Sequence, residues 1–430
     1  MKRISYIDFL DWKNKENRKP LIVNGARQVG KTWLLKEFGK NEFEHLAYVN
    51  CESELLAASL FVDYDVKRIV RAVEAITKVP IVPGRTLVVF DELQEQPKGI
   101  GCLKYFCEDM PELHVAAAGS LLGLSLHEGS SFPVGKVDML ELYPMTFIEF
   151  LDAMGEEGLS EILKERNWSV ATSLHAKYVE FLRQYYFVGG MPEVVLAYSS
   201  GKDLKTVRSL QNNILKAYRS DMSKHAPQTT MQRINMVFDS IPSQLTKENK
   251  KFIYGAMKKG ARAMDFELAI QWLIDAGLVH KVSRVTKPGM PLKFYEDPNV
   301  FKLFLLDCGL LGALVDTEAS QVLIGDKCFS EYKGAFTEQF VMQHFAAINQ
   351  LPVFYYSSET QLEIDFLLQW CGNVLPVEVK AEENLRSKSL KVFTERFEIN
   401  KSLRISMRSF AERDHVTDVP LYGIVPYFTK

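Results

Sequence analysis

The segment that most constrains this chain is Gly25–Thr32, which reads Gly-Ala-Arg-Gln-Val-Gly-Lys-Thr. It fits the phosphate-binding pattern of a glycine, four residues and then Gly-Lys-Thr. The apolar run Pro20–Asn24 precedes it and the amphipathic segment Lys31–Phe38 follows, so the context predicts a strand, a loop and a helix. An ordinary glycine-rich turn is the alternative. The order of the three elements favours a phosphate-binding loop.

A loop of this kind binds a nucleoside triphosphate through its backbone and two side chains. Gly25 and Gly30 allow the turn that points successive N–H groups at phosphate oxygens, and the helix N-terminus adds its dipole. We expect Lys31 to reach the β- and γ-phosphates and the Thr32 hydroxyl to bind Mg²⁺. The predicted cofactors are therefore ATP and Mg²⁺, and the predicted nucleotide contacts are Gly25, Ala26, Arg27, Gln28, Val29, Gly30, Lys31 and Thr32.

A second acidic motif follows at Thr86–Glu92. Four apolar residues and then two acids predict a buried parallel strand that ends at the carboxyl edge of the sheet, where ligands bind. We expect Asp91 to join the Mg²⁺ site and Glu92 to orient or deprotonate the attacking water. Two adjacent acids alone are weak evidence, but here they follow a phosphate loop in the order that an ATPase requires.

The segment His114–Ser120 predicts the next strand, which ends in a small polar residue. Ser120 lies where many such ATPases place a residue that contacts the γ-phosphate. A helix cap is the alternative role for this serine, and the sequence does not decide between the two.

The pattern predicts an α/β fold with four domains. They are a P-loop core (residues 1–151), a helical lid (152–245), a winged helix (246–315) and a C-terminal domain (316–430). In the lid, Arg183 or Arg219 is a candidate arginine finger, in cis or from a neighbouring subunit of a homo-oligomer. A solvated or salt-bridged arginine is the alternative for each.

The third region predicts two helices, Lys247–Lys259 and Ala263–Ala276, followed by a hairpin. Helices before a hairpin are typical of a winged helix, a variant of the helix-turn-helix. From Pro242 to Leu310 the chain has eleven Lys and Arg against seven Asp and Glu, an excess that suits phosphate contacts. DNA is thus a candidate partner, although winged helices also bind proteins.

The C-terminal region predicts a second site, on the strands Leu362–Leu368 and Val374–Lys380. Alternate residues of a strand share a face, so Glu378 and Lys380 project together, and Asp365 lies on the partner strand. Carboxylates hold hard cations, and a lysine can activate water. We therefore expect a metal site formed by Glu338, Asp365 and Glu378, and catalytic roles for Asp365, Glu378 and Lys380. The alternative is an amphipathic hairpin with a structural salt bridge.

The composition excludes several classes of protein. The formal net charge is −2, so a nucleic-acid site must be a local patch. The six cysteines form no Cys-x-x-Cys pair, which argues against a disulfide scaffold and favours a reduced, cytoplasmic protein. The N-terminus does not resemble a signal peptide, and no apolar run reaches the roughly 18 residues that a membrane span needs.

Taken in order, these motifs resemble those of a bacterial and archaeal family of AAA-type ATPases. Its members join a P-loop domain to a C-terminal domain of unknown function, built from a winged helix and a restriction-endonuclease-like fold. Besides the loop and the two acidic sites, the resemblance rests on Ala117–Ser120, Leu142–Phe147, Val188–Pro192 and Asp307–Leu311. It implies ATP binding, and it extends over nearly the whole chain.

Two hypotheses follow. In the first, a Mg²⁺-dependent ATPase controls a DNA-binding C-terminal half with nuclease activity. In the second, ATP turnover switches a regulatory surface that binds DNA or protein, and the carboxylate hairpin is structural.

Overall fold

The computed structural model describes residues 2–52, 57–120, 132–247, 250–319, 322, 327–348, 351–358, 362–381, 388–413 and 415–429. The chain divides into two compact units. The N-terminal unit comprises Lys2–Tyr143 and the short segment Asp275–Gly277; the C-terminal unit comprises Pro144–Ile274 and Leu278–Lys430. None of the helices in these described ranges has the length and apolarity needed to cross a membrane.

A five-stranded parallel sheet forms the centre of the N-terminal unit. Its strands are β1 (Leu21–Asn24), β2 (His45–Asn50), β3 (Thr86–Asp91), β4 (His114–Ala118) and β5 (Asp138–Glu141). Their spatial order is β2-β3-β4-β1-β5, and every neighbouring pair is parallel. The predicted parallel α/β core is therefore confirmed, and the carboxyl ends of all five strands meet at one edge.

Helices cover this sheet because its strands are apolar on both faces. They are α1 (Tyr6–Asn14), α2 (Lys31–Glu42), α3 (Ala57–Leu60), α4 (Val66–Thr77) and α5 (Pro97–Asp109). Helix α4 begins where the Asp65 carboxylate accepts hydrogen bonds from the first-turn N–H groups of Lys67 and Arg68. Its apolar side packs into the same core as Phe90 of β3 and Phe106 of α5.

The C-terminal unit begins with a helical region. Its helices are α6 (Phe147–Ala153), α7 (Glu157–Lys164), α8 (Trp168–Ser173), α9 (His175–Val188), α10 (Pro192–Ser199), α11 (Leu204–His225) and α12 (Gln228–Leu245). Thr146 starts α6 with a capping box, in which its hydroxyl accepts from Glu149 N and the Glu149 carboxylate accepts from Thr146 N.

A mixed eight-stranded sheet forms the rest of this unit. Its strands are β6 (Val279–Val285), β7 (Glu296–Leu305), β8 (Val353–Ser357), β9 (Glu363–Trp370), β10 (Asn373–Val379), β11 (Ser402–Ser406), β12 (Ala411–Glu412) and β13 (Val416–Pro420). Their order is β12-β13-β11-β10-β9-β8-β6-β7. Five further helices lie in the described part of the unit: α13 (Ala263–Asp275), α14 (Cys308–Leu314), α15 (Lys327–Ala347), α16 (Lys388–Arg396) and α17 (Ile424–Phe428).

The winged helix is not shown. The β6–β7 hairpin forms, but β6 also pairs in parallel with β8, so the hairpin is part of the large sheet and not a free wing. The sheet thus crosses the predicted boundary at residue 315. Of the two predicted helices, the second is present as α13 (Ala263–Asp275), whose last residue belongs to the N-terminal unit.

The first predicted helix, Lys247–Lys259, is wrong. Residues 250–259 contain only a 3₁₀ turn, Tyr254–Ala256. Phe252 N donates to Phe301 O of β7 at 2.8 Å, and the Gln244 side chain bonds both the N–H and the C=O of Ile253. These contacts replace the hydrogen bonds that a helix would have made, because tertiary pairing outweighs a weak local propensity.

A buried polar network joins three motifs of the C-terminal unit. Asp307, which is fully buried, accepts from Gly190 N at 2.6 Å, from Leu310 N at 2.9 Å and from Gln343 Nε2 at 3.0 Å. Met145 N in turn donates to Gly190 O at 2.7 Å. A Cβ on Gly190 would lie 2.1 Å from Met145 O, so only glycine fits there. The motifs at Met145, Gly190 and Asp307 are thus required for packing.

Candidate functional site

The phosphate loop has the backbone that its glycines predict. Gly25 has a φ of +138°, and an added Cβ would lie 2.3 Å from Leu142 O. Gly30 has a φ of +97° and caps the N-terminus of α2. The loop therefore runs from the carboxyl end of β1 directly into a helix N-terminus, a geometry that binds anions. Val29 is buried, whereas Arg27 and Gln28 are exposed.

The Lys31 side chain folds back over this loop. Its Nζ donates to Gly25 O at 2.8 Å and to Ala26 O at 2.9 Å. Burial lowers the pKa of Lys31 to about 8, although the nearby carboxylates of Glu92 and Asp91 act in the opposite direction. A buried ammonium whose hydrogen bonds to the described residues go to backbone carbonyls is suited to bind a phosphate anion.

Thr32 and Asp91 meet beside the loop. Thr32 Oγ1 donates to Asp91 Oδ2 at 2.7 Å, and the Tyr48 hydroxyl donates to the same oxygen at 2.7 Å. Asp91 is buried at the end of β3. A hydroxyl and a carboxylate at this distance supply the oxygen ligands that Mg²⁺ prefers. Sequence reasoning did not identify Tyr48. The feature that could have indicated it is its position in β2, the strand that pairs with β3.

Glu92 and Ser120 also lie at the carboxyl edge of the sheet. Glu92 has a φ of +52°, and its Oε2 accepts from Gln94 Nε2 at 2.6 Å. Strand β4 lies between β1, which leads into the loop, and β3, which ends at Asp91; the buried Ser120 follows two residues after β4. This position suits a γ-phosphate contact. The structure describes no helix that Ser120 caps, since residues 121–131 lie outside the described ranges.

Two further contacts support the loop from outside the motif. Arg3 is buried, and its guanidinium donates to Val29 O at 2.8 Å and to Tyr143 O at 2.6 Å. Gly277, with a φ of +69°, lies so close that an added Cβ would be 3.1 Å from Ala26 N. Neither residue is close to the loop in sequence, so no local pattern could have identified them.

The predicted carboxylate hairpin is present in the C-terminal unit. Strands β9 and β10 are antiparallel and joined at Cys371 and Gly372, which have positive φ angles. Asp365 Oδ2 accepts from Val379 N at 2.8 Å, and Lys380 Nζ lies 2.6 Å from Glu378 Oε1. Lys380 therefore pairs with Glu378, and Asp365 on the partner strand bonds to the backbone of the residue between them.

Glu338, on helix α15, lies in the same cluster and forms ion pairs with two lysines from other segments. Lys250 Nζ forms a close ion pair with Glu338 Oε1. Lys302 Nζ lies 3.9 Å from Glu338 Oε2 and 2.7 Å from Glu363 Oε1. Lys302 is fully buried on β7. Sequence reasoning missed both lysines, which are distant along the chain from the hairpin.

The charges of the cluster shift one another's pKa values. Burial raises the pKa of Asp365 to about 7, with a further contribution from Glu338. Burial also acts to raise the pKa of Glu338, but the ammonium groups of Lys250 and Lys302 outweigh it and hold this pKa below its usual value. Burial acts to lower the pKa of Lys302, and the surrounding carboxylates raise it instead. The cluster is therefore a mixed ionic network and not a set of free carboxylates.

The carboxylates of this network are suitable ligands for a metal ion, but their arrangement in the structure is not suitable. Among the residues described, no group of three or more His, Cys, Asp or Glu side chains is arranged to hold an ion. The ammonium groups of Lys250, Lys302 and Lys380 are interleaved with the carboxylates. A divalent cation would need at least one of these lysines to move.

The two candidate arginine fingers differ in their surroundings. Arg219 is paired with Asp239, to which its Nη2 lies 2.6 Å away, and it also donates to Asn235. Arg219 therefore fits the alternative to an arginine finger, a salt-bridged arginine. Arg183 lines a small polar cavity together with Glu180, among other residues, and so stays a candidate.

Comparison with known families assigns the N-terminal unit. Residues 17–151 match the family described as AAA domain. Residues 179–321 and 333–422 match two domains of unknown function, DUF8612 and DUF4143. No curated protein matches the chain.

Three solved structures are similar in part. A Walker-type ATPase of Pyrococcus abyssi shares 14% identity, with 73% of this chain and 95% of that chain covered and a TM-score of 0.46. The Orc1 protein of Aeropyrum pernix, solved in complex with DNA, shares 14% identity over 74% and 93%, with a TM-score of 0.26. Cdc6p from Pyrobaculum aerophilum shares 11% identity over 75% and 93%, with a TM-score of 0.28.

The loop, the Thr32–Asp91 contact and the AAA match agree with one another. The N-terminal unit thus combines the geometry of a phosphate-binding loop with a match to the AAA domain family over residues 17–151.

Proposed function

We propose that the chain is a Mg²⁺-dependent ATPase whose nucleotide state controls a phosphodiester-cleaving site in its C-terminal unit. In the N-terminal unit, Lys31 and the loop N–H groups bind the phosphates. Thr32 and Asp91 hold Mg²⁺, which neutralises charge on the β- and γ-phosphates when it is bound. The contact between Thr32 Oγ1 and Asp91 Oδ2 is the observation that carries this part of the proposal.

Glu92 is the proposed residue that orients and deprotonates the attacking water. The water oxygen attacks the γ-phosphorus, the bond to the β,γ-bridging oxygen breaks, and ADP and phosphate leave. The hydrogen bond from Gln94 Nε2 fixes one carboxylate oxygen of Glu92 and leaves the other available. Ser120 contacts the γ-phosphate, so that its loss is sensed at the end of β4.

A steady-state ATPase assay with the Glu92→Gln variant tests this assignment. The variant keeps its affinity for Mg-ATP, because glutamine has the shape of glutamate, and loses about 100-fold or more in kcat. Glu95→Gln, which changes a neighbouring acid of the same type, serves as the matched control. An unchanged kcat in Glu92→Gln would exclude this residue as the base.

The second part of the proposal assigns phosphodiester hydrolysis to the cluster of Glu338, Asp365 and Glu378, whose carboxylates could hold a cation only after the interleaved lysines had moved. Lys380 orients the water that attacks phosphorus; the P–O ester bond then breaks and a proton goes to the leaving oxygen. DNA is the proposed substrate. The ion pair of Lys380 with Glu378 and the bond of Asp365 to the Val379 backbone, both on the β9–β10 hairpin, support this reading.

A cleavage assay tests this site independently of the first. Single-stranded, double-stranded and branched DNA are incubated with Mg²⁺ or Mn²⁺, with and without ATP. We expect cleavage that is lost in Asp365→Ala and that changes in rate with ATP. The absence of cleavage by the wild-type chain on every substrate and in every nucleotide state would refute the nuclease assignment.

A second candidate function is an ATP-switched surface that binds protein. Helix α13 supports it, because its exposed side carries Met264, 75% exposed, and Leu268, 74% exposed, with Glu267 between them. The helix contains three acids and no lysine or arginine. An apolar and acidic face is unsuited to DNA phosphates and suits a basic, amphipathic protein segment. Salt-resistant DNA binding that survives Met264→Glu would count against this candidate.

A further inference from the structure

The loop that joins β6 to β7 holds an aromatic ring in solvent. Phe294 is 82% exposed, whereas Leu292, two positions earlier, is fully buried in the core beneath the loop. Tyr295, the next residue, packs against the same core. The chain therefore turns one large apolar side chain outwards between two that face the protein interior.

Local contacts fix the backbone of this loop. Thr286 N donates to Tyr295 O at 2.8 Å, which closes the loop at its base. Phe294 N donates to Pro291 O at 3.1 Å. Gly289 lies so close to the Tyr295 ring that an added Cβ would be 2.3 Å from it. A ring on a fixed loop loses little conformational entropy when it contacts a ligand, because only its side-chain torsions remain to be ordered.

Two lysines of the same loop lie close to this ring in sequence. The Lys293 side chain is 76% exposed and pairs with Glu296 at 2.5 Å, an ion pair that costs little to break at the surface. Lys287 is also exposed, and its ammonium lies 4.5 Å from the centre of the Tyr295 ring. Lys287 forms no ion pair with a residue that the structure describes, so its charge is available to an anion.

Helix α16 adds basic side chains on the same side of the sheet. Its Leu390 and Phe393 pack into the core cluster that also contains Leu292. Residues 286–296 and 388–401 together contain six Lys and Arg against three Glu, whereas the whole chain has a net charge of −2. We call the exposed surface of these two segments the basic face; it comprises Phe294 and the side chains of Lys287, Lys293, Lys388, Lys391, Arg396 and Lys401.

We propose that the basic face binds single-stranded DNA, with the Phe294 ring stacked on an unpaired base and the basic side chains on the phosphates. A duplex hides the faces of its bases within the stack, so only a single strand offers a base to the ring. An anionic lipid surface is matched by a continuous apolar face beside the charges, whereas here one strongly exposed ring lies among them. The inference rests on the proposed action on DNA and names the form of DNA that is bound.

Fluorescence anisotropy with a labelled oligonucleotide, alone or annealed with its complement, tests the inference. The full-length chain is used in EDTA without nucleotide, so neither cleavage nor ATP turnover contributes. Phe294→Ala should weaken binding of the single strand roughly tenfold and leave binding of the duplex unchanged. Phe294→Trp keeps a stacking ring and should bind as the wild type does. Val134→Ala, which truncates an apolar residue that is also 82% exposed, is the matched control.

The lysines should behave differently from the ring, because phosphates are present in both forms of DNA. Lys287→Ala should weaken binding of the single strand and of the duplex alike, and should lower the slope of log Kd against log salt concentration by about one. Lys202→Ala removes an equal charge from an exposed turn outside the basic face and should change neither affinity nor slope. Thermal unfolding checks that each variant is folded.

The outcomes separate the inference from the proposal on which it rests. A loss in Phe294→Ala that is confined to the single strand supports the inference. DNA binding that is unchanged in Phe294→Ala, or that weakens equally for both forms, overturns it and leaves DNA as the proposed substrate. No DNA binding by the wild type also overturns it, and the cleavage assay then decides the nuclease assignment separately. Binding to phosphatidylserine vesicles that is lost in Phe294→Ala, without DNA binding, would assign the basic face to a lipid surface instead.

Discussion

Replacing Asp307 with alanine should destabilise the C-terminal unit more than any surface change. The carboxylate accepts three hydrogen bonds, from Gly190 N, Leu310 N and Gln343 Nε2, and all three donors are buried with it. Alanine leaves them without an acceptor. A buried donor that loses its partner costs about 2 kcal/mol, so the three together would cost about 6 kcal/mol.

Part of this cost is offset because the wild type has to bury a charge. Burial raises the pKa of Asp307, while the hydrogen bonds from Gly190 and Leu310 act to lower it. Removing the carboxylate relieves that desolvation. We therefore expect a net loss of about 4 kcal/mol in the free energy of unfolding. Asp307→Asn keeps one acceptor and should lose about half as much.

Urea unfolding followed by hydrogen exchange measures this loss, because it reports the C-terminal unit, Pro144–Ile274 and Leu278–Lys430, separately from the N-terminal unit. Asp239→Ala is the matched control: it removes an aspartate from an exposed ion pair with Arg219 and should cost no more than about 1 kcal/mol. A loss below about 1 kcal/mol in Asp307→Ala would refute the reasoning, since the three donors would then have other acceptors.

Three further predictions concern both units. Gly277→Ala should weaken ATP binding roughly tenfold, because its Cβ would press on Ala26 N; Gly201→Ala, at a similar φ of +78° but in open space, should not. Arg3→Met should also raise the Kd for ATP, since the loop loses its buried donor. Burial lowers the pKa of His344 to about 4, below its unfolded value, so its contribution to stability is complete above pH 6.5 and is lost as the pH falls towards 4. Between pH 6.5 and 4 the wild type should therefore lose about 3 kcal/mol of its free energy of unfolding through His344, and His344→Gln should not show this loss. The same decrease in the variant, measured by urea unfolding, would contradict the assignment.

The phosphate loop and the β9–β10 hairpin could be predicted from sequence, because each is formed by residues that are close together along the chain. The phosphate loop lies within eight residues, and its glycines adopt the backbone that the motif requires. The hairpin of β9 and β10 was equally local: the turn at Cys371 and Gly372 sets the register, and strand alternation then sets which side chains share a face. Neither inference needed knowledge of the rest of the fold.

The long-range parts could not be predicted. Lys250 and Lys302 reach Glu338 across 88 and 36 positions of the chain, and nothing in their own neighbourhoods signals it. The helix predicted at Lys247–Lys259 failed for the same reason, since the pairing of Phe252 with β7 is visible only in three dimensions. The cluster therefore contains Lys250 and Lys302 in addition to the three carboxylates and Lys380 that the sequence predicted.

Titration of the full-length chain with a fluorescent ATP analogue, with Mg²⁺ or with EDTA, tests the central claim most directly. The account predicts saturable binding that weakens when Mg²⁺ is removed and is lost in Lys31→Ala, because the buried ammonium is the counter-charge of the phosphates. Full affinity in Lys31→Ala would contradict it.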